Sequence, residues 1–344
     1  MRTVLILLMT AARLLAQGDS KAAAEAAAGL ALAREGKYSL AIPHYRKALE
    51  LDRNIPGLYL NLGLAYFKTD NLPEAATAFE KAIQADPGSF QARALLGMSY
   101  FGCQRFDAAA IQLKQAADLD PENIDLRYKL AQSYLWSKQY QNAIEQFRLL
   151  LIRDPDSAPV HMLLGEVLDA ANQEEQATAE FEAAVTVSPH QPDAHFCLGY
   201  MYWKQRRFED ASREFRAELA DQPQHTQALT YLGDAEMHMG KNQEAKAHLQ
   251  QALNLDPKIR LAYLDLGIIF VAQKDNARAE SYLRKAIGLD PSKPDAHYRL
   301  GKLLSSIGRE KEAEAEFAKV KKLASEEQVP PLISVPGLKK EPIP

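Results

Sequence analysis

Shifted against itself by 34 positions, this 344-residue chain aligns with itself from end to end. Gly29, Gly63, Gly97, Gly165, Gly199, Gly233, Gly267 and Gly301 share one register, broken only by Ala131. Ala41, Ala75, Ala109, Ala143, Ala177, Ala211, Ala245, Ala279 and Ala313 hold a second without exception. Pro87, Pro121, Pro155, Pro189, Pro223, Pro257 and Pro291 hold a third. No insertion interrupts the period. It divides the chain into nine units: 22–55, 56–89, 90–123, 124–157, 158–191, 192–225, 226–259, 260–293 and 294–327. Identical short units bury their apolar faces against their neighbours, so the period points to a stacked array rather than to one central core.

Each unit carries two apolar-periodic stretches split by a short polar turn. In the second unit Leu58, Leu62, Ala65 and Tyr66 follow helical spacing on one face, and Ala75, Ala78, Phe79, Ala82 and Ile83 do so in the second stretch. Both stretches predict helices of roughly 14 residues, about 21 Å long. Small residues in the glycine and alanine registers let two antiparallel helices approach closely, with a larger neighbour filling the space alongside. Pairs such as Asp86-Pro87 and Asp256-Pro257 predict where the second helix stops, because the residue before proline disfavours helix.

Leu62-Gly63, Tyr66, Ala75, Phe79, Ala82 and Pro87, with counterparts in most units, resemble the tetratricopeptide repeat family over about nine-tenths of the chain. The resemblance implies an all-α, right-handed superhelical solenoid of stacked antiparallel helix pairs, with first helices lining a concave groove. It also implies a non-catalytic scaffold that binds a peptide segment or partner protein there. The chain departs from the pattern in four places. Arg53 and Ser325 replace the proline, Glu218 replaces the inner alanine, and Glu236 replaces the aromatic. Pro43 lies a turn inside the second helix of the first unit and is expected to fray it. The last second helix, Lys311 to Lys322, is charged enough to face water.

Outside the array, Arg2 and the apolar stretch Val4 to Ala12, followed by Ala16-Gln17-Gly18, make residues 1–18 an expected signal peptide. That predicts an exported chain, periplasmic or secreted; an uncleaved N-terminus would instead place it in the cytoplasm. Residues 328–344 hold five prolines and predict an extended tail. No apolar run reaches the roughly 18 residues of a membrane span. A formal net charge of -4 argues against nucleic acid as a partner.

A second stripe on the first helices lies off the core face. By the family resemblance it lines the groove. It comprises Leu60, Leu64 and Phe67; Met98 and Phe101; Tyr128 with nearby Trp136; Met162, Glu166 and Asp169; Phe196, Tyr200 and Trp203; Asp234 and Met237; and Leu264 and Ile268. A solvated face would be mostly polar, whereas this one is largely apolar and suits a peptide whose apolar side chains dock into it. Phe196, Tyr200, Trp203 and Trp136 are the expected anchors, unless they serve packing between units. Asp125, Glu166, Asp169, Asp193, Asp234 and Asp295 punctuate the stripe and favour basic residues in the partner. Family members that grip carboxylate-ending chaperone tails use clustered lysine, asparagine and arginine. Here Asn61, Lys129 and Arg299 are scattered over distant units, which makes a cytosolic chaperone adaptor the lesser alternative. An accessory subunit of a cell-envelope assembly (polysaccharide export, secretion or pilus biogenesis) is the other.

Enzymatic chemistry finds no set of residues. No nucleophile stands with a base and an orienting group, and the glycines are accounted for by packing rather than by a phosphate loop. No cofactor is expected. A metal site would need three or four converging ligands; His190, His195 and His225 are the nearest approach to one, and none is expected. Cys103 and Cys197 lie almost three units apart, too far to bridge within one chain, and are expected to be small buried hydrophobes.

Overall fold

A computed structural model of the chain describes residues 21–326. The expected signal peptide and the proline-rich tail fall outside them, apart from their bearing on the proposals below.

All regular structure among the described residues is helical, eighteen helices in nine consecutive pairs. They group into two compact units, Met1–Pro155 and Asp156–Pro344. The first contains α1 (Lys21–Arg34), α2 (Tyr38–Leu51), α3 (Leu58–Lys68), α4 (Leu72–Ala85), α5 (Phe90–Gly102), α6 (Phe106–Leu119), α7 (Ile124–Trp136) and α8 (Tyr140–Arg153). The second contains α9 (Ala158–Ala170), α10 (Glu174–Val187), α11 (Ala194–Lys204), α12 (Phe208–Asp221), α13 (Thr226–His238), α14 (Asn242–Leu255), α15 (Arg260–Ala272), α16 (Asn276–Leu289), α17 (Pro294–Ser306) and α18 (Glu310–Glu326). No described helix is long and apolar enough to cross a membrane.

The close approach inside each pair has the cause the registers suggest. A Cβ added at Gly63 would lie 2.6 Å from the Phe79 ring, and one at Gly199 2.8 Å from the Phe215 ring. Every residue of the alanine register is 0–1% exposed. One face of the first helix of the fourth repeat, Leu126, Leu130, Ser133 and Tyr134, is buried throughout.

The turns repeat as faithfully as the core. The second residue after each first helix is left-handed in all nine pairs: Gly36, Asp70, Gln104, Lys138, Asn172, Arg206, Gly240, Lys274 and Gly308, with φ between 58° and 79°. The next residue's N–H returns to a carbonyl five residues back, as in Asn71 to Tyr66 and Arg207 to Tyr202, which closes the helix end. Second helices stop at the predicted places; Asp86 and Asp256, each before proline, are extended. Three first helices start on side-chain caps in one register: Ser89 Oγ accepts from Ala92 N–H, Asn123 Oδ1 from Leu126 N–H and His225 Nδ1 from Ala228 N–H.

Two expectations need correction. Pro43 does not fray its helix; α2 runs unbroken from Tyr38 to Leu51 with Pro43 inside it. The packing of Ala41, Tyr45 and Ala48, each at most 1% exposed, supplies what the missing N–H withholds. The cysteines are half-buried and free rather than fully enclosed.

Within each unit neighbouring first helices touch one another: α1 with α3, α3 with α5 and α5 with α7, then α11 with α13, α13 with α15 and α15 with α17. Second helices of neighbouring pairs make no comparable contact among the described residues. First helices therefore form the inner face of each unit.

Candidate peptide-binding surface

The expected groove residues divide by burial. Leu60, Leu64, Phe67, Met98, Phe101, Tyr128 and Trp136 in the first unit are half-buried, as are Met162, Glu166, Trp203, Met237 and Ile268 in the second. These side chains keep surface to offer. Asp169, Tyr200, Asp234 and Leu264 are buried, at 8%, 9%, 3% and 6% exposure, and Phe196 is 1% exposed.

Phe196 is thus not an available anchor. Its ring packs 4.8 Å from His225, 5.9 Å from Phe215 and 6.1 Å from Tyr231. A spacing argument places a residue on a helix face but does not say how far the next helix reaches over it. Here Tyr231 of α13 leans onto α11 and closes the face. Trp203 stays at the edge of the cluster, 5.0 Å from Tyr231 and 5.8 Å from Tyr200.

Glu218 is explained by the same junction. Pro192 and the left-handed Asp193 (φ 62°) delay the start of α11 to Ala194. That leaves the Phe196 N–H in the first turn without a helical acceptor. Glu218, 2% exposed, reaches across from α12, and its Oε2 accepts that N–H at 3.1 Å. Burial pushes the Glu218 carboxyl up, and the Phe196 N–H works against the rise. Glu236 has a comparable cause. Elsewhere the tyrosine at its position donates to a glutamate of the preceding pair, as Tyr202 does to Glu182 at 2.7 Å. At Glu236 the polarity is exchanged: Arg216 Nη2 donates to it at 2.7 Å, and His248 pairs with its other oxygen at 2.7 Å.

The three histidines do not converge. His190 pairs with Asp221 at 2.8 Å, His195 with Glu214 at 2.8 Å, and His225 with Asp193 at 3.1 Å. Asp193, Glu218 and His225 do gather ligand atoms within 4.8 Å of one another. However, His225 Nδ1 accepts the Ala228 N–H at 3.1 Å as the cap of α13. The proton of a neutral imidazole then sits on Nε2, pointing at Asp193, and neither nitrogen retains a lone pair for a cation. The cluster is a fastening between α11, α12 and α13. His161 and His195 are half-buried, as expected for imidazoles in an aromatic's place. His297 is buried, and all three pair with a glutamate nineteen residues on. Burial pushes both cysteine thiols up, which disfavours the thiolate.

Lys129 shows why the scattered cationic and amide groups make no carboxylate grip. Its Nζ lies 4.6 Å over the Phe101 ring and donates to Gln132 at 3.0 Å, and burial pushes its ammonium down. On the inner face of the second unit acids prevail. Asp169 is bound by Lys204 at 2.6 Å, whereas Glu166 Oε2 is buried without a partner. Burial, with Asp169 adding to it, pushes Glu166 up to about 7. Asp265, 2% exposed on α15, joins this face; it falls between the stripe's positions and was not singled out by spacing.

Comparison with known proteins fits this architecture. Two family models, both described as tetratricopeptide repeat, match the chain, one over residues 27–90, 162–224, 198–258 and 232–294 and the other over 104–167 and 270–329. The chain belongs to the tetratricopeptide repeat family, whose fold is typically a non-catalytic protein-interaction scaffold. Comparison with curated proteins finds no match. Among solved structures, the C-terminal part of a repeat-containing protein from Cytophaga hutchinsonii is similar at TM-score 0.57 and 15% identity, over 69% of this chain and 98% of that one. A chain of the APC/C hetero-tetramer Cut9-Hcn1 is similar at TM-score 0.53 and 15% identity, over 94% of this chain and 61% of that one. PilW, a type IV pilus biogenesis factor, is similar at TM-score 0.51 and 19% identity, over 58% of this chain and 92% of that one. At these identities the likeness carries the fold alone.

Proposed function

We propose that the chain binds a peptide segment or partner protein along the inner faces of its repeats, through apolar side chains with acidic groups setting register. The half-buried row on the first helices carries this reading. Leu60, Leu64, Phe67, Met98 and Phe101 in the first unit, and Met162, Trp203, Met237 and Ile268 in the second, are apolar yet not enclosed by their own repeats. Such a row gains by being covered, at about 25 cal/mol per Å² of apolar surface removed from water. Acids without internal partners favour a partner that carries basic residues. The pattern of residues 1–18 supports export, with the scaffold serving an envelope assembly.

The test is a crosslinked pull-down from the native cell envelope with two baits, the natural chain and a Trp203→Ala, Met237→Ala variant whose melting is checked first. A partner lost only with the variant is the expected result. A partner retained equally by both would move recognition off the inner face of the second unit. Amino-terminal sequencing of the chain recovered from cells checks export; an intact Met1 would return it to the cytoplasm.

A further inference from the structure

Two carboxylates on neighbouring first helices of the second unit are buried at a cost that the fold does not require. Asp234 on α13 is 3% exposed and Asp265 on α15 is 2% exposed. Asp234 meets only long contacts: Trp203 Nε1 at 3.4 Å from each oxygen, and His238 Nε2 at 3.4 Å. Asp265 Oδ2 has no hydrogen-bond partner. The cations facing Asp265 are Arg260 and Arg299. Arg260 pairs with Asp295 through Nη2 while its Nε is buried without a partner, and Arg299 is exposed and makes no ion pair with Asp265 among the described residues. Burial pushes the Asp234 carboxyl up, with His238 and Trp203 working against the rise, whereas burial, with Asp234 and Asp295 adding to it, holds Asp265 well above the usual carboxylate range.

The repeat itself shows that packing does not require these groups. One period away, the position of Asp234 is filled by Tyr200 and Ile268, and the position of Asp265 by Tyr231 on one side and the exposed Arg299 on the other. A buried, unpaired carboxylate destabilises a fold, and where apolar residues serve equally its retention points to a partner outside the chain. Beside the two acids stand the Trp203 and Tyr231 rings, edge to face at 5.0 Å. Paired carboxylates next to aromatic faces match a planar guanidinium, which forks across two acceptors and stacks on rings.

We infer that Asp234, Asp265, Trp203 and Tyr231 form a subsite for an arginine side chain of the bound segment. Trp203 and His238, both partly exposed, front Asp234 through 3.4 Å contacts. An entering guanidinium displaces them and supplies the donors that Asp234 and Asp265 Oδ2 lack. The inference rests on the reading that the inner face binds peptide, and it names the chemistry of one position in that peptide.

A random twelve-residue display library selected against the natural chain and against an Asp234→Asn, Asp265→Asn variant tests it. The expected result is enrichment of arginine flanked by apolar residues on the natural chain, lost on the variant. In the best selected peptide, arginine replaced by citrulline should weaken binding at least about tenfold, the loss expected for a charge-assisted pair. Lysine in its place should recover part of that loss. In a Trp136→Phe background Trp203 is the sole indole, and its emission should shift on binding the arginine peptide. Enriched peptides without a cation that still require Trp203 would sink the subsite and leave the inner-face reading intact. Peptides kept by both the Asn variant and a Trp203→Ala chain would sink both, and so would the absence of any enrichment. Melting gives an independent sign. Asp265→Asn should raise the second unit's Tm at pH 8 by about 2–4 °C. A fall would mean that Arg260 or Arg299 already pairs with Asp265, and would overturn the inference.

Discussion

The two units are built on one register, yet they bury different things. Among the described residues of the first, the buried polar groups are two serines, Ser99 and Ser133, each donating to a carbonyl of its own helix. In the second, Asp169, Glu214, Glu218, Asp234, Glu236, Asp265, His297 and Glu316 are all buried. The first instead leaves large apolar side chains in water: Leu40, Leu51, Ile111, Leu119, Ile124 and Ile152 are each more than half exposed. The period constrains only the helix–helix contacts inside and between pairs. Positions outside those contacts are free to vary, and the second unit spends them on charge. Buried charge of this kind costs stability wherever it is not fully paired.

The largest expected effects come from breaking what the units share. A valine at position 63 or 199 would drive a side chain into Phe79 or Phe215, rings that are fully buried and have nowhere to withdraw. Gly63→Val and Gly199→Val should each cost about 3 kcal/mol. Hydrogen exchange should show the loss confined to the unit that carries the change, since repeats communicate through neighbouring interfaces. Uniform loss along the chain would contradict the division into two units.

A smaller effect tests the exchanged fastening. Glu236→Tyr alone should destabilise by about 2 kcal/mol, because it strands Arg216 and His248. Adding Arg216→Glu should recover most of that by recreating the tyrosine–glutamate bond seen at Tyr202. Denaturant melts of the double-mutant cycle measure the recovery, and additive losses would show that the two fastenings are not interchangeable.

The buried acids predict that pH separates the units. Glu166 ionises near 4.5 when unfolded and near about 7 when folded. Below 4.5 both states hold the proton and the contribution to stability is complete. As pH rises towards 7 the unfolded chain has already released the proton, so stability is lost through that window. Asp234 and Asp265, also raised, act in the same direction. The loss in the second unit should be at least on the order of 2 kcal/mol; Glu166→Gln should remove its own share and leave that of Asp234 and Asp265. Protection factors in the first unit, with the intrinsic pH dependence of exchange divided out, should change little over the same range. Smallest of all, Lys138→Gly and Arg206→Gly relieve left-handed backbones and should each stabilise by under about 1 kcal/mol. A loss in thermal melts would mean that the side chains' packing outweighs the relief.

Much of the fold was legible because it rests on local spacing. Helix pairing, the alanine register and the stops before proline follow from which residue types recur every 34 positions. The left-handed turns were not legible, because six of the nine carry Asp, Gln, Lys, Asn or Arg in place of glycine. The conformation there is imposed by closure of the preceding helix. The groove was legible as a stripe, but its depth was not. Phe196 and Trp203 lie seven residues apart on one face. Tyr231 of the next pair buries the first and leaves the second at the edge.

By itself, then, the sequence determined the architecture: a periodic code read by each helix pair from its own residues. Tertiary structure decided the electrostatics. Glu218 became a helix cap, Glu236 an exchanged fastening, His225 a tautomer held by a backbone N–H, and Asp265 a carboxylate without a partner. Glu218, Glu236 and the bond from His225 to Asp193 depend on groups 12 to 32 residues away in sequence, and Asp265 on the exclusion of water by a neighbouring repeat. Burial and hydrogen bonding are properties of the stack, and they set a charge's energy where spacing along one helix cannot.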